Sequence, residues 1–269
     1  LQAAMIAAPQ AAPHHPAERE VMRPAHATLL PQELLELLVG AGFQHARIVG
    51  SCSERTVAAM TAQTMHPDHT TGVVGLVGLG LIGGSLGLDL SARGWDVRGL
   101  VRRESTAARA RQRGLAGRVS TDPAVLAGCQ LVVLALPLDQ LLAPDPALLA
   151  ALPPEAVITD VGSVKAPVLR TWQGIVPRFV ASHPMAGTAE AGVEAGLRHL
   201  FRGRPWVVTP TPDTDPAALQ AVRALAEAVE AQWLPCDPHA HDRAVALISH
   251  LPVLVGAALL QAADRGTVD

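Results

Sequence analysis

The chain has 269 residues, 49% hydrophobic and 17% charged, with a formal net charge of −3. That is enough apolar material for one large or two ordinary domains, and it argues against wholesale disorder, a nucleic-acid coat or a polybasic membrane tether. Three widely spaced cysteines, Cys52, Cys129 and Cys236, suggest neither a disulfide framework nor a zinc knuckle, so no metal is expected and a cytoplasmic location is the default. The start, LQAAMIAAPQAAPHHP, has no basic leader, and no run of about 18 uninterrupted apolar residues occurs, so neither a signal peptide nor a membrane span is expected.

Residues 1–70 read as an extension apart from the rest. The first 28 residues are rich in Ala, Pro and His and look flexible. PQELLELLVGAGF then predicts a short helix with Pro31 in its first turn, and HARIVG a strand. This helix–strand ending faintly resembles the tail of a class I methyltransferase. AQTMHPDHTTG reads as a linker, with Met65 as the expected start of an independent protein. From Gly72 the rhythm becomes strand–helix–strand. VVGLV, DVRGLV, LVVLALP, AVITDVGSV and WVVTP read as strands, separated by helices in LIGGSLGLDLSARG and TAARARQRG. The alternation predicts a Rossmann-type, doubly wound, mostly parallel α/β sheet over residues 71–236. After WLPCDP, residues 237–269 carry no strand or turn punctuation and read as the start of an all-α domain.

The first strand runs into VGLGLIGG, which places Gly78, Gly80 and Gly83 in G-x-G-x-x-G spacing between a strand and a helix. In that context the first glycine makes the turn, the second lets a pyrophosphate approach the backbone, and the third permits close helix–strand packing. Leu81 and Ile82 in the loop, and Leu136 and Pro137 at the end of LVVLALP, complete the expected dinucleotide contacts. The end of the second strand chooses between cofactors. An NAD site places an acid there for the ribose hydroxyls. Here the segment is LVRRES, with Val101 at the acidic position and Arg102 and Arg103 following. A guanidinium meets a 2′-phosphate bidentately, so NADP is expected ahead of NAD, with Arg102 the main contact and Arg103, Ser105 or Thr106 assisting.

Further polar groups follow apolar runs, where ligands bind in open α/β sheets. TDVGSVKAP carries Asp160, Ser163 and Lys165, and ASHPMAGT carries His183 and Thr188. Lys165 is the only lysine among 21 basic residues. It is expected either to contact an anionic substrate or to orient Asp160 and anchor its loop. Ala186, Gly187 and Thr188 leave room beside the His183 ring, and Pro184 fixes the corner that aims it.

Taken together, GLGLIGGSL, DVGSVK, SHPMAGT, LFRGRPWVVTP and HDRAVALISHLP occur in the order and spacing of the prephenate/arogenate dehydrogenase family of tyrosine biosynthesis, and the chain most resembles its cyanobacterial-type, NADP-using members. The resemblance runs from Gly72 to the end. It implies oxidative decarboxylation of a cyclohexadienol, prephenate or arogenate, with hydride passing to the nicotinamide and carbon dioxide leaving the opposite ring carbon. It further implies that His183 takes the hydroxyl proton, a role suited to an imidazole of pKa near working pH. Ser163 matches the serine that hydrogen-bonds this histidine. His250 is placed against the substrate or in a core pair with Ser249, and the His241–Asp242 pair is given less weight. The resemblance also implies a homodimer when full length, and a C-terminal arginine-bearing segment that this chain lacks, so the chain is expected to be C-terminally truncated. Ala189 stands where many prephenate-specific relatives carry an acid, with Glu190 one residue later. Two other readings remain: another NADP-dependent small-substrate reductase, and a non-catalytic NADP-binding module.

Overall fold

A computed structural model describes residues 72–266. The expected helix and strand before Gly72, the linker and the start at Met65 lie outside the described residues.

Six parallel strands form the main sheet: β1 (Val73–Val77), β2 (Asp96–Leu100), β3 (Arg118–Ser120), β4 (Leu131–Leu134), β5 (Val157–Asp160) and β6 (Phe179–Val180). Their order is β3-β2-β1-β4-β5-β6, so the winding reverses between β1 and β4. At such a reversal the loops leaving two neighbouring strands diverge to opposite faces and open a crevice. The register brings the strand ends to one rim: Val77 lies beside Leu100 and Leu134, and Leu134 beside Asp160. Strands β4 and β5 are buried along their whole length, as fits a parallel sheet covered on both faces.

The helices follow the strands in the expected alternation. They are α1 (Leu81–Ser91), α2 (Glu104–Gln112), α3 (Leu138–Leu142), α4 (Pro146–Ala151), α5 (Ala166–Gln173) and α6 (Pro216–Ala228). One core joins Leu76, Leu86, Leu90 and Val133 to Val222 and Leu225 of α6. The other joins Leu134, Ile158 and Val168 to Trp172, whose indole N–H donates to the Leu141 carbonyl at 2.8 Å and which stacks on Phe179.

A second, three-stranded sheet extends the first. It contains β7 (Ser182–Pro184), β8 (Pro205–Val208) and β9 (Gln232–Pro235), with β7 antiparallel and β9 parallel to β8. His183 was expected to follow a strand. It lies on one instead, paired with Val207. The loop after β7 is tied back onto α1 and α2. Arg113 donates to the carbonyls of Val193 and Gly196, Arg109 pairs with Glu194, and Ser85 Oγ accepts the Leu197 N–H at 3.0 Å. Gly84 and Gly196 meet so closely that a Cβ on Gly84 would stand 3.3 Å from the Gly196 Cα.

The chain ends in α7 (Pro238–Val245), a π-helical turn (Ala246–His250) and α8 (Leu251–Gly266). Asp237 caps α7 by accepting the Ala240 N–H at 2.8 Å. Here the expectation about membrane spans needs correction. No apolar run is uninterrupted, yet Pro238–Asp264 is one helical stretch long and apolar enough, by length and composition, to cross a membrane. The polar residues within it are too sparse to lower its average. Leu254 and Leu260 are about 70% exposed, so α8 presents an uncovered apolar face (67% and 71%).

Candidate active site

The crevice between β1 and β4 opens as a cleft of about 720 Å³, lined by the β1–α1 loop, Arg102, Arg103, Leu136, Pro137 and Glu190–Val193 among others. All nine residues expected to contact a dinucleotide line it: Gly78, Gly80, Leu81, Ile82, Gly83, Arg102, Arg103, Leu136 and Pro137. The glycines divide the work. Gly78 has φ of 94°, and a Cβ there would collide with the Ala135 carbonyl. A Cβ on Gly83 would collide with the Gly78 carbonyl. A Cβ on Gly80 would meet nothing within 4 Å. Protein packing therefore demands the first and third glycines, whereas the second keeps open space in front of the α1 N-terminus, whose first N–H groups have no intrahelical partner. That space suits an anion.

Val101 is buried at the end of β2, while Arg102 and Arg103 are exposed at the cleft. Neither guanidinium has an acidic or hydrogen-bonding partner among the described residues. Glu104, the nearest acid in sequence, turns to Arg111 at 2.8 Å.

Beyond β5 lies a buried polar knot. Lys165 and Asp160 are both fully buried and joined as an ion pair, and Lys165 Nζ also donates to the Ser182 carbonyl at 2.6 Å. Asp160 accepts from the Gly162 N–H at 2.9 Å and the Ser182 N–H at 3.2 Å. Burial pushes the Asp160 carboxyl up and the Lys165 ammonium down, and each partner's charge opposes the shift of the other. Lys165 was expected either to contact an anionic substrate or to orient Asp160 and anchor its loop, and it is the second arrangement that is seen. With no exposed surface it has no direct access to a substrate, and its side chain instead holds the peptide just before His183.

His183 is half-buried, and its Nδ1 lies 2.9 Å from His241 Nε2. The two rings meet edge to face, with centroids 5.2 Å apart. His241 Nδ1 in turn lies 2.8 Å from Asp242 Oδ1. Asp242 is braced by the N–H groups of Lys165 at 2.7 Å and Ala166 at 2.9 Å, at the start of α5. Burial, followed by the charges of Lys165, His241 and His250, pushes the His183 pKa from 6.5 down to about 3, against the pull of Asp242. The ring is therefore neutral at working pH, but the expectation of a pKa near that pH is corrected.

This shift carries a stability consequence. The unfolded chain binds a proton on this histidine below about pH 6.5, where the folded chain does not. The stability from keeping the ring neutral is fully present above that pH and is lost as pH falls toward about 3. We expect the denaturant midpoint to drop between pH 6.5 and pH 4, and His183→Asn to flatten that slope. An unchanged slope in the variant would assign the acid sensitivity to other groups.

The expected Ser163–His183 hydrogen bond is absent. Ser163 is exposed on the β5–α5 loop, and the histidine's imidazole partner comes instead from α7. Thr188 is also exposed, and its Oγ1 accepts the Glu190 N–H at 3.2 Å. His250 is half-buried on the π-helical turn, near enough for its charge to act on His183. His241 and Asp242, given less weight in the sequence, are the residues the fold joins to His183. Among the described residues no cluster of three or more His, Cys, Asp or Glu is placed to hold a metal.

The fold and cleft define the dinucleotide-binding α/β class. The sequence profile described as "Prephenate dehydrogenase, nucleotide-binding domain" matches residues 86–234, and that of "Prephenate dehydrogenase, dimerization domain" matches residues 237–269. The chain belongs to the prephenate dehydrogenase family. It is 32% identical over 192 residues to prephenate dehydrogenase of Bacillus subtilis, covering 69% of this chain and 52% of that protein. Among solved structures, arogenate dehydrogenase of Synechocystis is 41% identical, with a TM-score of 0.63 over 71% of this chain and 68% of the other. Prephenate dehydrogenase of Aquifex aeolicus, in complex with hydroxyphenyl propionate and NAD+, is 30% identical, with a TM-score of 0.68 over 72% and 70%. The chain spans about half the length of the Bacillus subtilis relative.

Proposed function

We propose that this chain is the nucleotide-binding part and first helical segment of a cytoplasmic, homodimeric dehydrogenase that oxidatively decarboxylates arogenate, or secondarily prephenate, in tyrosine biosynthesis. The division falls near Asp237, and residues 1–70 form a separate extension. The carrying observation is a neutral, partly accessible imidazole, His183, held on a short strand beyond the sheet rim that bears the dinucleotide cleft. Identity of 41% to an arogenate dehydrogenase supports arogenate as first substrate. The family's dimerization match over residues 237–269 and the exposed apolar face of α8 support a homodimer.

The cleft fits a nicotinamide dinucleotide: Gly80 leaves the α1 N-terminus open, and Leu136, Pro137 and Val161 offer an apolar wall. When bound, that group supplies the hydride acceptor. The β1–α1 loop holds the pyrophosphate, and Arg102, assisted by Arg103 and Thr106, holds the 2′-phosphate of NADP. His183 takes the proton of the substrate hydroxyl at Nε2. Ser163, Thr188 and His250 border the substrate, and Lys165 fixes the peptide that carries His183. Loss of the proton to His183 lets the ring C–O bond gain carbonyl character as hydride departs. Decarboxylation then completes aromatisation.

The test is an assay of the full chain on arogenate and prephenate, each with NADP and NAD. Reduced-nicotinamide absorbance rising with NADP and arogenate supports the proposal. Tight cofactor binding with no turnover on either substrate favours a non-catalytic module. For the cofactor assignment, Arg102→Ala should weaken NADP binding at least about tenfold, the loss of one charge-assisted contact, while leaving NAD binding within about twofold. Equal losses for both cofactors, measured by fluorescence titration, would remove Arg102 from the 2′-phosphate.

A further inference from the structure

We infer that Asp242 and His241 form a hydrogen-bonded relay that fixes His183 with its proton on Nδ1 and its lone pair on Nε2, making both residues positioning residues for the base. The inference rests on the reading of His183 as that base. It follows by elimination along the chain of contacts. An ionised carboxylate only accepts hydrogen bonds, so at the 2.8 Å contact His241 Nδ1 must donate to Asp242. Burial pushes the His241 pKa down, so its ring is neutral, and a neutral imidazole carries one N–H; His241 Nε2 is then an acceptor. At the 2.9 Å contact His183 Nδ1 must therefore donate to it. That leaves His183 Nε2 bare.

The ionised state of Asp242 has its own support. Burial works to raise its pKa, but the Lys165 N–H, the His241 bond and the Ala166 N–H outweigh it and hold the carboxyl below the usual range. The two N–H groups belong to the start of α5, so the relay is braced by the segment whose Lys165 side chain holds Ser182. His183 is thus fixed from two directions: through its backbone by Lys165 and through its ring by His241.

The charged and titratable groups facing His183 are Lys165 from the β5–α5 loop, His241 and Asp242 from α7, and His250 from the π-helical turn. Lys165 disfavours a proton on His183, and Asp242 favours one. The relay gives that proton's charge a place to go. The substrate O–H bond breaks, its electron pair stays on oxygen, and the proton joins His183 Nε2. The Nδ1 proton then shifts along the 2.9 Å contact to His241 Nε2, where the cation lies against Asp242. One proton enters, one moves, and His183 returns to neutrality.

Nitrogen-15 NMR of the histidine-labelled full chain reads the tautomer directly and independently of turnover. His183 is expected with its proton on Nδ1. In Asp242→Ala the acceptor that holds the His241 proton on Nδ1 is gone, so His241 can turn its proton to Nε2 and the His183 proton is no longer held on Nδ1. Turnover should then fall at least about a hundredfold with NADP affinity unchanged, as wrong-tautomer losses in Ser-His-Asp enzymes reach about 10⁴. His241→Gln presents a carbonyl to His183 Nδ1, so it should keep the native tautomer and retain more activity than His241→Phe. The relay is overturned if wild-type His183 carries its proton on Nε2, or if Asp242→Ala changes neither tautomer nor turnover. Full activity in His183→Asn would overturn the reading of the base, while the NMR result would still decide the tautomer chain.

Discussion

His183→Asn lowers turnover by at least about a hundredfold while leaving NADP affinity nearly intact. A positioned base contributes about 10²–10⁴ in rate, so its removal raises the barrier by roughly 3 kcal/mol or more. The affinity should survive because His183 is not among the residues lining the dinucleotide cleft. Asparagine is polar and close to the ring in size, so β7 and its pairing with Val207 should persist. The loss should appear in kcat and in kcat/KM alike, the signature of an interaction made in the transition state. Steady-state kinetics with a parallel cofactor titration separates the two. Near-normal turnover in the variant would remove His183 from the mechanism.

Lys165→Met destabilises the chain by about 3–5 kcal/mol. Taking one partner from a buried ion pair leaves the other charge uncompensated, and Asp160 has no exposed surface. The Ser182 carbonyl also loses its donor. Urea unfolding followed by tryptophan fluorescence measures the change. Lys165→Arg should fail to restore stability. The compact ammonium sits between Asp160 and the Ser182 carbonyl, and a planar, five-donor guanidinium does not match that donor geometry. This accounts for a single lysine in a chain that otherwise carries arginine. A variant as stable as wild type would show that the pair contributes no net stability.

Features set by local pattern were legible in the sequence. Strands β1 and β4 are continuous apolar runs, β2 and β5 are apolar in part, and their alternation with helices declared the doubly wound sheet. The glycine spacing between a strand and a helix marked the cleft, and LVRRES exposed two arginines where an acid would normally stand. The short elements were not legible. Strands β3, β6 and β7 have three, two and three residues, too few to show any period.

The site was legible in its parts but not in its wiring. Motif context singled out His183, Ser163 and Lys165. The partner of His183 lies 58 residues away on another element, and no local pattern encodes that pairing. His241 and Asp242 sit at the head of an apolar helical stretch, where their side chains resemble an ordinary polar start. Only the packing of α7 against α5 reveals that Asp242 takes two α5 N–H groups and orders the histidines. Burial decided the fate of Lys165, and burial of a lone charge depends on the whole fold.

Simultaneous measurement of carbon dioxide release and NADPH formation by the full chain on arogenate tests the proposed oxidative decarboxylation with NADP. One carbon dioxide for each NADPH, with both lost together in His183→Asn, is the predicted result. NADPH formed without carbon dioxide would contradict it.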